Sequence, residues 1–241
     1  MAGVVAALPA EARALGARLP LGTAPGVLAD GTLICVHGMG ESAAASAASA
    51  LIAAGASGLA SVGLAGGLDP ALRAGDVVLP HRVMSAGRAL LATSAPWRER
   101  MAQALGSGRR LAAGSLLTSD QPLATVAAKS AAHRQSGAVA VDLESYAVAE
   151  IAERHGLPFV AIRVIVDTAA DALPKAVAEA SRSNRLHGMR LAAGLAAAPW
   201  QIGGLIRLAL RYRLARASLG AVGRAGLGQP PAVSPAGSAG R

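Results

Sequence analysis

The 241-residue chain is poor in several residue types. It has one cysteine, Cys35, so no disulfide can close within it, and a disulfide scaffold is excluded. That fits a reducing, cytoplasmic compartment. Aromatic residues amount to 2%, with one Phe, two Tyr and two Trp. His37, His81, His133, His155 and His187 lie far apart without paired ligand spacing, so no metal or other cofactor is expected. His37 stands out only for the loop it occupies. Walker A, Gly-x-Gly-x-x-Gly and Gly-x-Ser-x-Gly patterns are missing, as are internal repeats. Met1-Ala2-Gly3-Val4-Val5 has no positive n-region, and Glu11 follows too soon for a secretory h-region. The uncharged stretch 42–68 is rich in Ala, Gly and Ser, and 191–206 is short and split by Pro199. Neither suits a membrane span.

Acidic residues are missing from one end only. Residues 1–179 carry 14 Lys+Arg and 14 Asp+Glu, whereas residues 180–241 carry nine Arg and no acid. The whole net charge of +9 therefore sits in the last quarter. A neutral body with a basic appendage argues against a nucleic-acid-binding domain. At 53% hydrophobic residues the chain is not intrinsically disordered as a whole, and its length suits one domain with a sizeable core.

What is present alternates between strands and helices. Apolar runs predict strands at Gly3–Leu8, Leu59–Gly63, Asp76–Leu79, Arg82–Ser85, Gly114–Thr118, Ala138–Val141 and Phe159–Val166. Asp30-Gly31 between Val27–Leu28 and Thr32–Val36 predicts a hairpin. Helices are expected at Pro9 onward, Glu41–Ala54, Trp97–Leu105, Leu123–Ala132 and Tyr146–His155, with a long one starting near Lys175. The segment after Gly63 reads as a Gly loop. The alternation predicts an α/β domain with a largely parallel or mixed sheet, whose ligand site lies at the carboxyl ends of strands.

Three acids interrupt apolar context at such ends. Asp167 follows Ile162-Arg163-Val164-Ile165-Val166. There a desolvated carboxyl would suit a general acid, and a turn cap through the Thr168 or Ala169 amide is equally open. Glu144 has two readings, a carboxylate accepting from a ligand diol or a first-turn acid favoured by the helix dipole. Glu11 has the same bland alternative. Gly38-Met39-Gly40 and Gly63-Leu64-Ala65-Gly66-Gly67 would allow close backbone approach to an anion or a sugar.

The ordered set resembles the nucleoside phosphorylase and nucleosidase superfamily from about Gly3 to Pro174. The matching motifs are Gly3-Val4-Val5-Ala6-Ala7-Leu8-Pro9-Ala10-Glu11, then His37-Gly38-Met39-Gly40, then Val62-Gly63-Leu64-Ala65-Gly66-Gly67-Leu68. Last comes Val141-Asp142-Leu143-Glu144-Ser145, leading to Phe159–Arg163 and Asp167. The resemblance implies a three-layer α/β/α fold with a central mixed sheet and cleavage of a purine N-glycosidic bond. By it, Asp167 protonates N7 of the leaving purine, Glu144 holds the ribose hydroxyls and Glu11 orients an attacking water. Leu143, Leu123, Gly66 and Leu64 would contact substrate. Pro122 falls about where a base-stacking Phe lies in adenosine-type nucleosidases, so Leu123 and Leu143 would supply apolar contact instead. Inorganic phosphate is the alternative co-substrate, with Gly40, Ser42, Arg82 and Arg88 as candidates to hold it.

Within the superfamily, Leu64–Leu72, Asp142-Leu143-Glu144-Ser145 and Ala172-Leu173-Pro174 are similar to hopanoid-associated phosphorylases. That implies adenosylhopane as substrate, with adenine and a ribosyl- or phosphoribosyl-hopane as products. The runner-up is a methylthioadenosine/S-adenosylhomocysteine-type nucleosidase or a general purine nucleoside phosphorylase. A reading of another class is a non-catalytic nucleoside-binding protein with a docking tail. The family is commonly oligomeric, which implies a homo-oligomer.

The domain reading is 1–198 for the body, 199–224 for a basic helix and 225–241 for a disordered Gly/Pro/Ser tail. Leu205, Leu208, Tyr212, Ala215 and Leu219 make one apolar face, and Ile206, Leu210 and Leu214 make a second stripe. The helix either packs on the body or rests on anionic lipid. The implied lipid substrate favours a cytoplasmic enzyme peripheral at the inner membrane, without nucleic acid.

Overall fold

A computed structural model describes residues 1–19, 24–173 and 202–232. Its strands are β1 (Ala2–Ala6), β2 (Gly26–Val27), β3 (Leu33–Val36), β4 (Gly58–Gly67), β5 (Val77–Val78), β6 (Arg82–Ser85), β7 (Leu91–Ala92), β8 (Leu111–Ala112), β9 (Ser115–Thr118), β10 (Ala140–Asp142) and β11 (Phe159–Asp167). Its helices are α1 (Pro9–Ala14), α2 (Glu41–Ala53), α3 (Ala95–Leu105), α4 (Val126–Ser136), α5 (Ser145–Arg154) and α6 (Ile202–Ala225).

The strands form one mixed sheet in the order β2-β3-β1-β4-β10-β9-β6-β7, with β11, β5 and β8 branching from β4. β4 runs parallel to β1 over Gly58–Ser61 and parallel to β11 from Leu59 onward. Its far end turns to pair antiparallel with β10, at Gly66↔Val141 and Gly67↔Ala140. The expected hairpin forms, with Gly26 opposite Ile34.

Period-2 alternation sends β11 into two cores. Phe159, Ala161 and Ile165 join α2 and α5 on one face. Val160, Ile162 and Val164 join α1, α3 and α6 on the other. The architecture is thus three-layered, helices on both faces of a mixed sheet, as expected.

The Gly-rich segment after Gly63 corrects one expectation. It is not a loop but the second half of β4. At Gly63, where it begins, neighbours lie too close for a side chain. A Cβ on Gly63 would lie 2.6 Å from Arg163 Nη1 and 2.8 Å from Glu11 Oε1. Glycine is what lets the strand run on past those two groups. The helix expected near Lys175 lies outside the described residues.

Helix α6 packs on the body through Ala215, Leu219 and Val222, all buried in the second core. Contact is close enough that a Cβ on Gly223 would lie 2.1 Å from the Leu15 carbonyl oxygen. Residues 226–232, expected as the start of a disordered tail, continue along the body. Leu227 is buried, its carbonyl accepts from Trp97 Nε1 at 2.7 Å and its amide donates to Asp30 at 3.1 Å. A buried Trp N–H needs such a partner. Among the described residues no helix is long and apolar enough to cross a membrane.

Candidate active site

Three of these elements end at one cavity of about 420 Å³, within the usual range for small-molecule sites. Glu11, Leu64, Gly66, Leu123, Leu143, Glu144 and Asp167 all line it. Every catalytic or substrate-contacting residue expected from the sequence is therefore at one place.

Glu11 sits at the third position of α1, directly after β1. One carboxylate oxygen accepts from the amides of Ala7 at 3.1 Å and Leu8 at 2.9 Å, and the other from the Leu64 amide at 2.8 Å. The bland and functional readings coexist, because a first-turn acid capping its own helix also faces the cavity. Burial pushes the Glu11 carboxyl up, while the Leu64 amide, the Arg163 charge and the Leu8 and Ala7 amides pull it back.

Glu144 is the residue before α5. It accepts from the Gly40 amide at 3.2 Å, which ties the glycine turn before α2 to the site. Burial pushes its carboxyl up to about 7, against the Arg163 charge, with Asp142 and Glu11 adding repulsion.

Asp167 ends β11 just after an irregularity in register, pairing with Gly66 beyond Ile165↔Ala65. A bulge there re-aims the last side chain of the strand. Burial raises the Asp167 carboxyl, and the adjacent Lys129 ammonium opposes the rise. The expected turn-capping role belongs to another residue: Asp171 accepts from the Thr168 amide at 2.9 Å and its hydroxyl at 2.6 Å.

Two charged residues at the site were given no role from the sequence. Arg163 interrupts the most apolar strand and is buried. It pairs with Asp142 at 2.7 Å, approaches Glu144 at 3.6 Å and donates to Ser61 at 2.7 Å and to Ser145. A lone arginine inside a buried strand was the available signal. Lys129, in α4, lines the cavity and bonds Asp167. An isolated lysine in an Ala-rich helix carries no such signal.

The phosphate candidates are not brought to the cavity. Gly40 spends its amide on Glu144. Ser42 is exposed in α2. Arg82 donates to Ser115 Oγ at 2.7 Å. Arg88 is held by Glu41 at 2.7 Å and Glu150 at 3.4 Å, over the Tyr146 ring. None of the four lines the cavity. Among the described residues no group of three His, Cys, Asp or Glu is placed to hold a metal ion.

Leu8, Met39, Pro122, Leu173, Leu208 and Tyr212 make most of the remaining wall apolar. Two of these come from α6, so the basic helix is part of the site.

The sequence matches the Phosphorylase superfamily over residues 2–198. This chain belongs to that superfamily. No curated protein matches it in sequence. Several solved structures share its fold. The 5′-methylthioadenosine/S-adenosylhomocysteine nucleosidase of Neisseria meningitidis, in complex with methylthio-immucillin-A, superposes with TM-score 0.68 at 20% identity, covering 94% of this chain and 97% of that one. A mutant of the Helicobacter pylori enzyme with 5′-methylthioadenosine in its active site gives 0.64 at 18%, covering 76% and 92%. Futalosine hydrolase of Helicobacter pylori gives 0.63 at 19%, covering 78% and 91%. For this phosphorylase-superfamily chain, such low identities carry the fold alone.

Proposed function

We propose that this chain cleaves the N-glycosidic bond of a purine nucleoside, with adenosylhopane as substrate and water as the nucleophile. The observation that carries the reading is the convergence of Glu11, Glu144 and Asp167 on one apolar cavity of a phosphorylase-superfamily fold.

The three carboxyl groups divide the work. Asp167, whose neutral form burial favours, gives its proton to purine N7. The C1′–N9 bond breaks and its electron pair leaves with the now neutral base. Positive charge grows on the ribosyl ring and is met by the carboxylate end of the cavity. Glu144 accepts from the ribose hydroxyls. Glu11 orients the water that attacks C1′ and takes its proton. Arg163 holds Glu144 and Asp142 in place from behind.

Water is favoured over phosphate by the charges around the cavity. Among the described residues its lining includes four acids, Glu11, Asp142, Glu144 and Asp167, and one cation, Lys129, already bonded to Asp167. Arg163, behind the wall, is likewise committed to Asp142 and Glu144, so a phosphate dianion would find little counter-charge there.

The apolar wall from Leu8, Met39, Leu173, Leu208 and Tyr212 suits a hydrophobic 5′ substituent, and the resemblance to hopanoid-associated phosphorylases names it. The outer face of α6 fits the same reading. Ile206, Leu210 and Leu214 are each more than half exposed, beside exposed Arg207 and Arg213. Apolar and cationic residues on one helix surface suit a peripheral seat on anionic lipid, which would bring the cavity next to a lipid-borne substrate.

The test is adenine release from adenosylhopane and from methylthioadenosine, each with and without phosphate. Release from adenosylhopane at a rate independent of phosphate is expected. Turnover of methylthioadenosine alone would replace this substrate with that of the nucleosidases, and a strict phosphate requirement would replace the nucleophile.

A further inference from the structure

The mechanism above leaves one buried charge unused. Lys129 is 1% exposed, which a lysine tolerates only when its ammonium is fully partnered. Its three protons go to Asp167 Oδ2, to the Thr168 carbonyl at 2.7 Å and to the Asp171 carbonyl at 3.0 Å. It reaches them from the first turn of α4, whose N-terminus is fixed by Thr125 accepting from the Ala128 amide at 3.1 Å. The ammonium is thus clamped by two backbone carbonyls against one particular carboxylate oxygen.

The other charges around Asp167 do not reproduce this contact. Asp171, in the turn after β11, is tied to Arg211 of α6 and to Thr168. Arg163, on β11 itself, is tied to Asp142 and Glu144. Glu11 and Glu144 share the cavity with Asp167 but are held by backbone amides. On α4, His133 bonds the Ala138 carbonyl and Arg134 the Ser130 hydroxyl. Lys129 is the cation bonded to the Asp167 carboxylate.

We infer that Lys129 is a positioning residue for the glycosidic cleavage, supplying the fixed counter-charge that receives the Asp167 carboxylate when its proton moves to the base. The inference rests on Asp167 being the general acid. In the step, the O–H bond of Asp167 breaks, an N7–H bond forms, and the electron pair left on oxygen faces an ammonium already in place. No reorganisation is needed at that moment, which is how preorganised charge lowers a barrier. The same contact makes Asp167 a stronger acid, so proton transfer to a weakly basic purine nitrogen is easier.

A mere structural tie would leave a different signature from a counter-charge. Lys129→Met removes charge and hydrogen bonds together. Lys129→Gln keeps two N–H donors for the Thr168 and Asp171 carbonyls, and removes the charge together with the bond to Asp167. The experiment is the pH profile of adenine release from adenosylhopane, or from methylthioadenosine if that is the nucleoside cleaved. It compares wild type with both variants, whose folding is checked by circular dichroism. In both variants the limiting rate is expected to fall at least about tenfold. The basic limb, where the acid loses its proton, is expected to move upward by about one to three pH units. A folded Gln variant with the wild-type limb would overturn the inference, whatever its rate. Asp167→Asn, run alongside, separates the two levels. If that variant keeps wild-type turnover, the general-acid reading itself fails. If it is inactive while the limb stays put in the Lys129 variants, the counter-charge alone fails.

Discussion

Arg163 and Asp142 meet at 2.7 Å with both side chains almost wholly excluded from water. The pair joins the middle of β11 to the end of β10 and presents Glu144 to the cavity. Removing one partner of a buried ion pair leaves the other uncompensated. Arg163→Met is therefore expected to lower stability by about 3–5 kcal/mol, measured as a shift in urea unfolding. A loss under about 1 kcal/mol would place this pair among ordinary surface ion pairs.

Gly63 and Gly67 lie on the same strand and should respond differently to alanine. At Gly63 the new Cβ would meet Arg163 Nη1 at 2.6 Å and Glu11 Oε1 at 2.8 Å, whereas at Gly67 the nearest atoms are 3.4 Å away. Gly63→Ala must displace two charged groups of the site, and misplaced catalytic groups can cost about a hundredfold. Gly67→Ala should be mild in adenine-release assays. Equal effects of the two would contradict the packing described.

Burial raises the carboxyls of Glu11, Glu144 and Asp167 together. A raised folded-state value means that the folded protein holds the proton more tightly than the unfolded chain. Their neutral forms fit the buried site at low pH, and the cost of ionising them there grows as pH rises. For Glu144 the window runs from its ordinary value of 4.5 to about 7. The melting temperature is expected to fall across that window, less steeply in Glu144→Gln. A slope unchanged by the substitution would show that Glu144 is not the group titrating.

The outer face of α6 makes a separate prediction. Serine at the exposed Ile206, Leu210 and Leu214 leaves in place the buried Ala215, Leu219 and Val222 and the cavity-lining Leu208 and Tyr212. Such a variant should fold as wild type yet lose co-sedimentation with vesicles containing anionic lipid. Wild-type protein should bind them and be released by salt. Equal binding by both would remove the membrane seat and leave the exposed stripe unexplained.

How legible all this was depends on the kind of signal. Periodicity and turn residues suffice for the layers because each strand and helix buries a local apolar pattern. Glu11, Glu144 and Asp167 were legible because an acid next to an apolar strand is locally anomalous. The Gly63–Gly67 stretch misled, since glycine signals a loop locally, while at Gly63 the cause is non-local crowding by Arg163 and Glu11. Lys129 was hidden for the same reason. Its partner lies 38 residues away, and nothing nearby in sequence marks it as buried. The two stripes on α6 were visible as a pattern, but which one would pack on the body is decided by the surface of α1, α3 and β11.

The most direct measurement is free adenine released by the wild-type protein and by Asp167→Asn, followed chromatographically with adenosylhopane and methylthioadenosine as substrates. Wild type is expected to liberate adenine from at least one of them, and Asp167→Asn to do so at least about a hundredfold more slowly. No adenine from either substrate, or equal rates for the two proteins, would contradict a cavity built to break the N-glycosidic bond.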